Sequence, residues 1–94
     1  MDIKALMKQA QKMQEKLQKD IAEMKVEASA GGGMVNVVMS GTHELLSVRI
    51  APEVVKSQDV EMLEDLVRAA VNEARRKIEE AMAEKVGSLR VPGL

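Results

Sequence analysis

Apolar residues change their spacing twice along this chain, and the two changes dictate the order of its elements. Across residues 2–24, Ile3, Leu6, Ala10, Met13, Leu17 and Met24 recur on three- and four-residue steps interrupted only at Asp20, and Met7 and Ile21 widen the stripe. That spacing belongs to one face of a long amphipathic helix, and no Gly or Pro breaks it. Across residues 25–51 the period falls to two. Val26 and Ala28 alternate with Glu27 and Ser29; Val35, Val37 and Met39 alternate with Asn36 and Ser40; Leu46, Val48 and Ile50 alternate with Ser47 and Arg49. From Val60 the helical period returns through Leu63, Val67, Ala70, Ala74, Ile78 and Met82 to about Val86.

The punctuation agrees with the periods. Gly31-Gly32-Gly33 separates the first two alternating runs, and glycine tolerates the positive φ that hairpin turns demand. Gly41-Thr42-His43 separates the second from the third. Two short turns predict a three-stranded antiparallel meander with one apolar face. Its other face mixes polar residues with Met34, Val38 and Leu45. Pro52 suits the first turn of a short helix over Pro52 to Lys56. Ser57 or Asp59 can cap the last helix, with Glu61, Glu64 and Asp65 near its positive end and Arg75, Arg76, Lys77 and Lys85 in its second half. Gly87 is expected to stop it. The expected fold is α+β in the order α-β-β-β-α-α, a single domain over 1–86 followed by a flexible tail over 87–94.

One copy looks insufficient. At about 1.5 Å per residue the first helix exceeds 30 Å and the last approaches 40 Å, while a strand of six or seven residues covers only about 20 Å. Both helices overhang the sheet, yet their apolar stripes continue along the overhang. An uncovered stripe implies a partner, so an obligate homodimer with projecting helical arms is expected.

Composition narrows the function. Ninety-four residues allow one small domain. The absence of Cys removes disulfides and thiolate metal sites, and a single His43 cannot build a histidine-rich centre. No Phe, Tyr or Trp is present, so the aromatic platforms of single-strand and RNA binders are missing. No apolar run reaches the 18 or so residues of a membrane span, and residues 1–10 lack a signal-peptide core. These features lead to the expectation of a soluble intracellular protein that is not an enzyme and uses no cofactor or metal.

The net charge of −1 hides a separation. Residues 1–25 hold six Lys against four acids, whereas residues 58–86 hold eight acids against five bases. Lys4, Lys8, Lys12, Lys16 and Lys19 fall on the side of the first helix opposite its apolar stripe, with Gln9, Gln11 and Gln18 on or beside the same face. Like charges at four-residue spacing repel by a few tenths of a kcal/mol per pair, so such a row suits neutralisation by phosphates, which releases condensed counterions. The plain alternative is a solvated face that keeps the protein soluble. On the last helix Arg68, Arg75 and Arg76 lie off the apolar arc, but Glu61, Asp65 and Glu79 share that surface and favour intrahelical ion pairs. His43 reads as a turn residue. The glycine triplet lacks the strand–loop–helix context and Lys-Ser/Thr ending of a phosphate loop. The eight Met residues read as adaptable packing in the core stripes.

Four segments carry a resemblance. Leu6-Met7-Lys8-Gln9-Ala10-Gln11-Lys12-Met13-Gln14-Glu15-Lys16, Gly31-Gly32-Gly33-Met34-Val35-Asn36-Val37, Ile50-Ala51-Pro52-Glu53-Val54, and Glu61-Met62-Leu63-Glu64-Asp65-Leu66-Val67-Arg68-Ala69-Ala70-Val71-Asn72-Glu73-Ala74 together resemble the YbaB/EbfC nucleoid-associated proteins of bacteria. The match runs in order over nearly the whole chain. The resemblance implies a tweezer-shaped homodimer in the cytoplasm, at the nucleoid, that binds double-stranded DNA through its first and last long helices. Carried onto this chain, the implied contacts are Lys4, Lys8, Lys12, Lys16 and Lys19, then Arg68, Arg75, Arg76 and Lys77. The short ending Val91-Pro92-Gly93-Leu94 and the mildly acidic total depart from many relatives. An alternative role is a docking module for replication or recombination proteins, using exposed apolar residues such as Met34 or Val38.

Overall fold

The computed structural model describes residues 2–88 and has the expected order: α1 Ile3–Glu23, β1 Lys25–Ala30, β2 Val35–Ser40, β3 Leu45–Ile50, α2 Pro52–Lys56 and α3 Val60–Ser88. Asp2 caps α1, its Oδ1 accepting from the amides of Lys4 at 3.1 Å and Ala5 at 3.4 Å. Asp59 caps α3 in the same way, accepting from the Met62 amide at 3.0 Å. Ser57 instead closes α2, donating to the Val54 carbonyl at 2.6 Å. Gly87 does not stop α3. It keeps a helical φ, unlike the glycines of the first turn, and glycine without a left-handed conformation costs a helix only about 1 kcal/mol. Residues 89–94 of the expected tail lie outside the described residues.

The sheet is antiparallel in the order β1-β2-β3. Gly31, Gly32 and Gly33 all take positive φ (65°, 68° and 96°), which explains the triplet. Ala28 pairs with Val37 and Val37 with Val48, while Val35 lies between Ala30 and Ile50, so one apolar row crosses all three strands. A register shift between Val38 and Met39 sets Leu45, rather than the alternating Leu46, opposite Met39.

The core forms where α3 lies on that apolar face. Ala28, Val35, Val37 and Met39 from the sheet meet Ala70, Ala74 and Ile78, and Leu63, Leu66, Val67, Val71 and Met82 pack around them. Alanines at 28, 70 and 74 let the helix approach closely over β1 and β2. The helix does not extend over β3. Leu46, Val48 and Ile50 therefore stay 38–43 % exposed although they belong to the same apolar face. The apolar face expected from the sequence is present across all three strands, and α3 covers it over β1 and β2 but not over β3.

α1 departs further from a packed element. It buries no residue, and Ile3, Leu6, Met7 and Met13 are 51–69 % exposed. Met7 and Met13 of this stripe are thus not core residues within one copy, whereas Met24 packs against the core beside the buried Met39. The helix leaves the sheet at one pivot: the Gly41 amide donates to the Met24 carbonyl at 2.9 Å, and a Cβ at Gly41 would overlap the Ile21 carbonyl oxygen. Leu66 lies against Gly31 and Lys77 reaches Glu27, so α3 runs antiparallel to β1 and overhangs the end from which α1 departs. The molecule spans 68 × 24 × 15 Å, with a radius of gyration of 19.0 Å. A compact chain of this length would have about 12 Å.

Candidate nucleic-acid interface

The two charged surfaces singled out in the sequence sit on the two projecting helices, and their electrostatics differ. Lys4, Lys8, Lys12, Lys16 and Lys19 are all exposed along α1. Among the described residues none of them enters an ion pair. At 100° per residue Lys8, Lys12 and Lys19 lie within about 40° of one another, flanked by Lys4 on one side and Lys16 on the other, and the row extends for about 22 Å. Gln9, Gln11 and Gln18 are exposed beside it. This surface offers cationic donors with no internal partner.

The basic residues of α3 are already occupied. Arg68 pairs with Asp65 at 2.8 Å and Arg75 with Glu79 at 4.0 Å. Arg76 is bracketed, with one guanidinium nitrogen 2.5 Å from Glu73 and another 2.7 Å from Glu80. The hydrogen bond from Arg76 holds the Glu73 carboxyl below its usual range, and the same bond and charge raise the Arg76 guanidinium. Lys77 donates to the Glu27 carbonyl at 2.8 Å. The intrahelical pairing expected from the sequence is present for Arg68 and Arg75, while Glu61 forms none of these pairs. The double pairing of Arg76 escaped the sequence reading, although the three- and four-residue steps to Glu73 and Glu80 carry its signal.

The remaining candidates show no reactive arrangement. His43 occupies a turn at φ 66°, its amide donating to the Ser40 carbonyl at 2.9 Å. Among the described residues no cluster of His, Cys, Asp and Glu could hold a metal ion. On the polar face of the sheet Glu27, Ser29, Asn36, Ser47 and Arg49 line an open depression bordered by Lys77. No described helix is long and apolar enough to cross a membrane.

Comparison with known proteins identifies the family and the fold. The model of the YbaB/EbfC DNA-binding family matches residues 1–94. A nucleoid-associated protein of Alkaliphilus metalliredigens is 51% identical over 96 residues, covering 95% of this chain and 84% of the relative. Another, from Thermoanaerobacter pseudethanolicus, is 50% identical over 100 residues, covering 99% and 90%. An uncharacterized protein of Helicobacter pylori with a solved crystal structure shares the fold at a TM-score of 0.79 and 23% identity, over 95% of this chain and 97% of that one.

Proposed function

We propose that this chain, which belongs to the YbaB/EbfC DNA-binding family, grips duplex DNA as a homodimer through phosphate contacts made chiefly by the lysine row of α1. The family is a DNA-binding family and not an enzyme family, and its named relatives are nucleoid-associated proteins. The observation that carries the finer reading is the contrast between the helices. The α1 lysines have no internal counter-charge, whereas each α3 arginine proposed as a contact already has a carboxylate beside it.

Two copies are required for two reasons. An apolar helix face left in water forfeits about 25 cal/mol for every Å² it could bury. α1 leaves Ile3, Leu6, Met7 and Met13 in that position, and β3 adds Leu46, Val48 and Ile50. In the dimer α1 and the overhang of α3 form the arms; Lys8, Lys12 and Lys19 face phosphates of the duplex directly, and Lys4 and Lys16 flank them. Arg68, Arg75, Arg76 and Lys77 act as secondary contacts, because each must first exchange an internal partner for a phosphate. Phosphate contacts carry no base information, so binding has modest sequence preference. DNA binding places the protein in the cytoplasm at the nucleoid.

Docking of replication or recombination proteins is the second reading, and the exposed Met34 favours it. Val38, its companion in that reading, is partly covered. Fluorescence anisotropy of a labelled random duplex, titrated across a salt series, separates the two. DNA gripping requires binding at low salt that weakens steeply as salt rises; a confirmed dimer that leaves the duplex free at low salt refutes it.

A further inference from the structure

The two ends of the body carry opposite chemistry. α1 and its lysines leave from the Met24 end of the sheet, while the Gly31–Gly33 turn and the first turns of α3 close the other. The Ala51 amide donates to the Met34 carbonyl at 2.8 Å and ties the start of α2 to that same end. Residues 52–67 hold five acids, Glu53, Asp59, Glu61, Glu64 and Asp65, against the single base Lys56. A shallow groove of about 300 Å³ lies on the first turns of α3, lined by Asp59, Glu61, Met62, Asp65 and Leu66. Its apolar floor continues beyond α3. A Leu66 methyl and the Met34 sulfur approach the same side of Gly31, 2.6 and 3.5 Å from where a Cβ would sit, and Met34 is 41 % exposed.

We propose that this groove receives a basic amphipathic helix of a partner protein, at the end of the body that the DNA reading leaves unused. Its shape and charge select that occupant. At 100° per residue Met62 and Leu66 lie about 40° apart and form a ridge. Asp65 and Glu61 fall about 60° and 100° to one side of Met62, and Asp59 about 60° to the other. Acids on both sides of an apolar ridge repel phosphates and acidic segments, and they complement Lys and Arg flanking an apolar stripe. An incoming helix packs its own i, i+4 residues against that ridge. Two of the three apolar floor residues are Met, whose unbranched thioethers adapt to varied partner side chains. Asp65 already holds Arg68 at 2.8 Å, and Asp59 caps α3. Glu61 enters no ion pair among the described residues, so it is the principal charge offered to the partner. The six residues of β1 set the groove about 20 Å from the root of α1, so one molecule can hold duplex and partner together.

The probe is a synthetic peptide of about 18 residues, with leucines at helical i, i+3, i+4 spacing and lysines elsewhere. A second peptide of the same composition has the stripe scrambled. Titrated into the isotope-labelled protein and followed by NMR, the first peptide should shift the amides of residues 59–66 and Met34 selectively. The scrambled peptide should bind about tenfold more weakly, because it cannot bury leucines on the ridge. Glu61→Lys should weaken binding about fivefold, and Met34→Ser should weaken it without any change of charge. Glu64→Lys makes the same change of net charge on the far side of α3 and should stay within about twofold. Circular dichroism checks that each variant keeps its fold. Equal weakening by Glu61→Lys and Glu64→Lys, or equal binding of the two peptides, overturns the groove in favour of general charge attraction. Failure of the unmodified protein to bind the striped peptide overturns it as well. A light-scattering mass above that of a dimer, lowered by Glu61→Lys, would assign the groove to α1 of another copy and overturn a foreign occupant. The assay contains no DNA, so its failure leaves the DNA reading standing.

Discussion

Removing charge from the centre of the lysine row tests the DNA reading quantitatively. Lys8, Lys12 and Lys19 share an arc of about 40° on α1, so about three lysines per arm can face one duplex at once, or six per dimer. Each neutralised phosphate contributes about 0.9 to the slope of log K against log salt, which gives about −5 for the dimer. Raising salt from 50 to 200 mM should then weaken binding about a thousandfold. Lys8→Gln with Lys12→Gln removes four of the six contacts, since both arms change together. The slope should fall to about −2, and the same change in salt should cost only about tenfold. Glutamine keeps good helix propensity, so α1 should survive, and circular dichroism checks that it does. Anisotropy with a random duplex at five salt concentrations supplies both slopes. A wild-type slope shallower than about −2, or a double variant that keeps a slope near −5, would refute phosphate binding by this row.

Other expectations concern stability and titration. Ile78→Ala empties a site with no solvent exposure and should cost about 2–5 kcal/mol in chemical denaturation, whereas Val55→Ala on the exposed side of α2 should stay within about 0.5 kcal/mol. Gly41→Ala must displace the Ile21 carbonyl and should cost more than Gly32→Ala, which adds its methyl into open space and loses about 1–2 kcal/mol to its positive φ. Glu73 should titrate below the ordinary carboxylate range by NMR, and Arg76→Gln should return it there. Because its folded pKa is the lower one, its contribution to stability is present above the unfolded value and lost as pH falls through the folded value. The Arg76→Gln variant should lack that acid-side loss.

Local periodicity made most of the fold legible. The return from period two to period 3.6, the Gly31–Gly33 turn, the Pro52 helix and the Asp59 cap are written in neighbouring residues, and the structure places each where its chemistry requires. What escaped depends on contacts between distant residues. Alternation assigns Leu46, Val48 and Ile50 to the core face, but whether a helix covers them depends on the path of α3. That path is set by close packing of Ala70 and Ala74 over Ala28, far from β3 in sequence. The need for glycine at position 41 is likewise invisible locally, because the obstructing atom is the Ile21 carbonyl twenty residues upstream. At the candidate site the lysine row was plain from helical spacing. The occupancy of Arg76 lay in the same kind of spacing, three residues from Glu73 and four from Glu80, and is the one local signal that the reading missed.

The Gly41 pivot gives α1 the mechanics of a lever. The helix is held at its sheet end by a single backbone bond and close glycine packing, and no buried side chain fixes the rest of it. A rigid rod of 21 residues is about 31 Å long, so a hinge rotation of only 10° sweeps its free end through about 5 Å. Lys4 and Lys8 ride near the tip, where that travel is largest, and Lys19 sits near the fulcrum, where it is small. In the DNA reading proposed above, arms geared in this way would follow the changing groove width of successive DNA sequences while the sheet stays undistorted. Such compliance would match the modest sequence preference proposed for it.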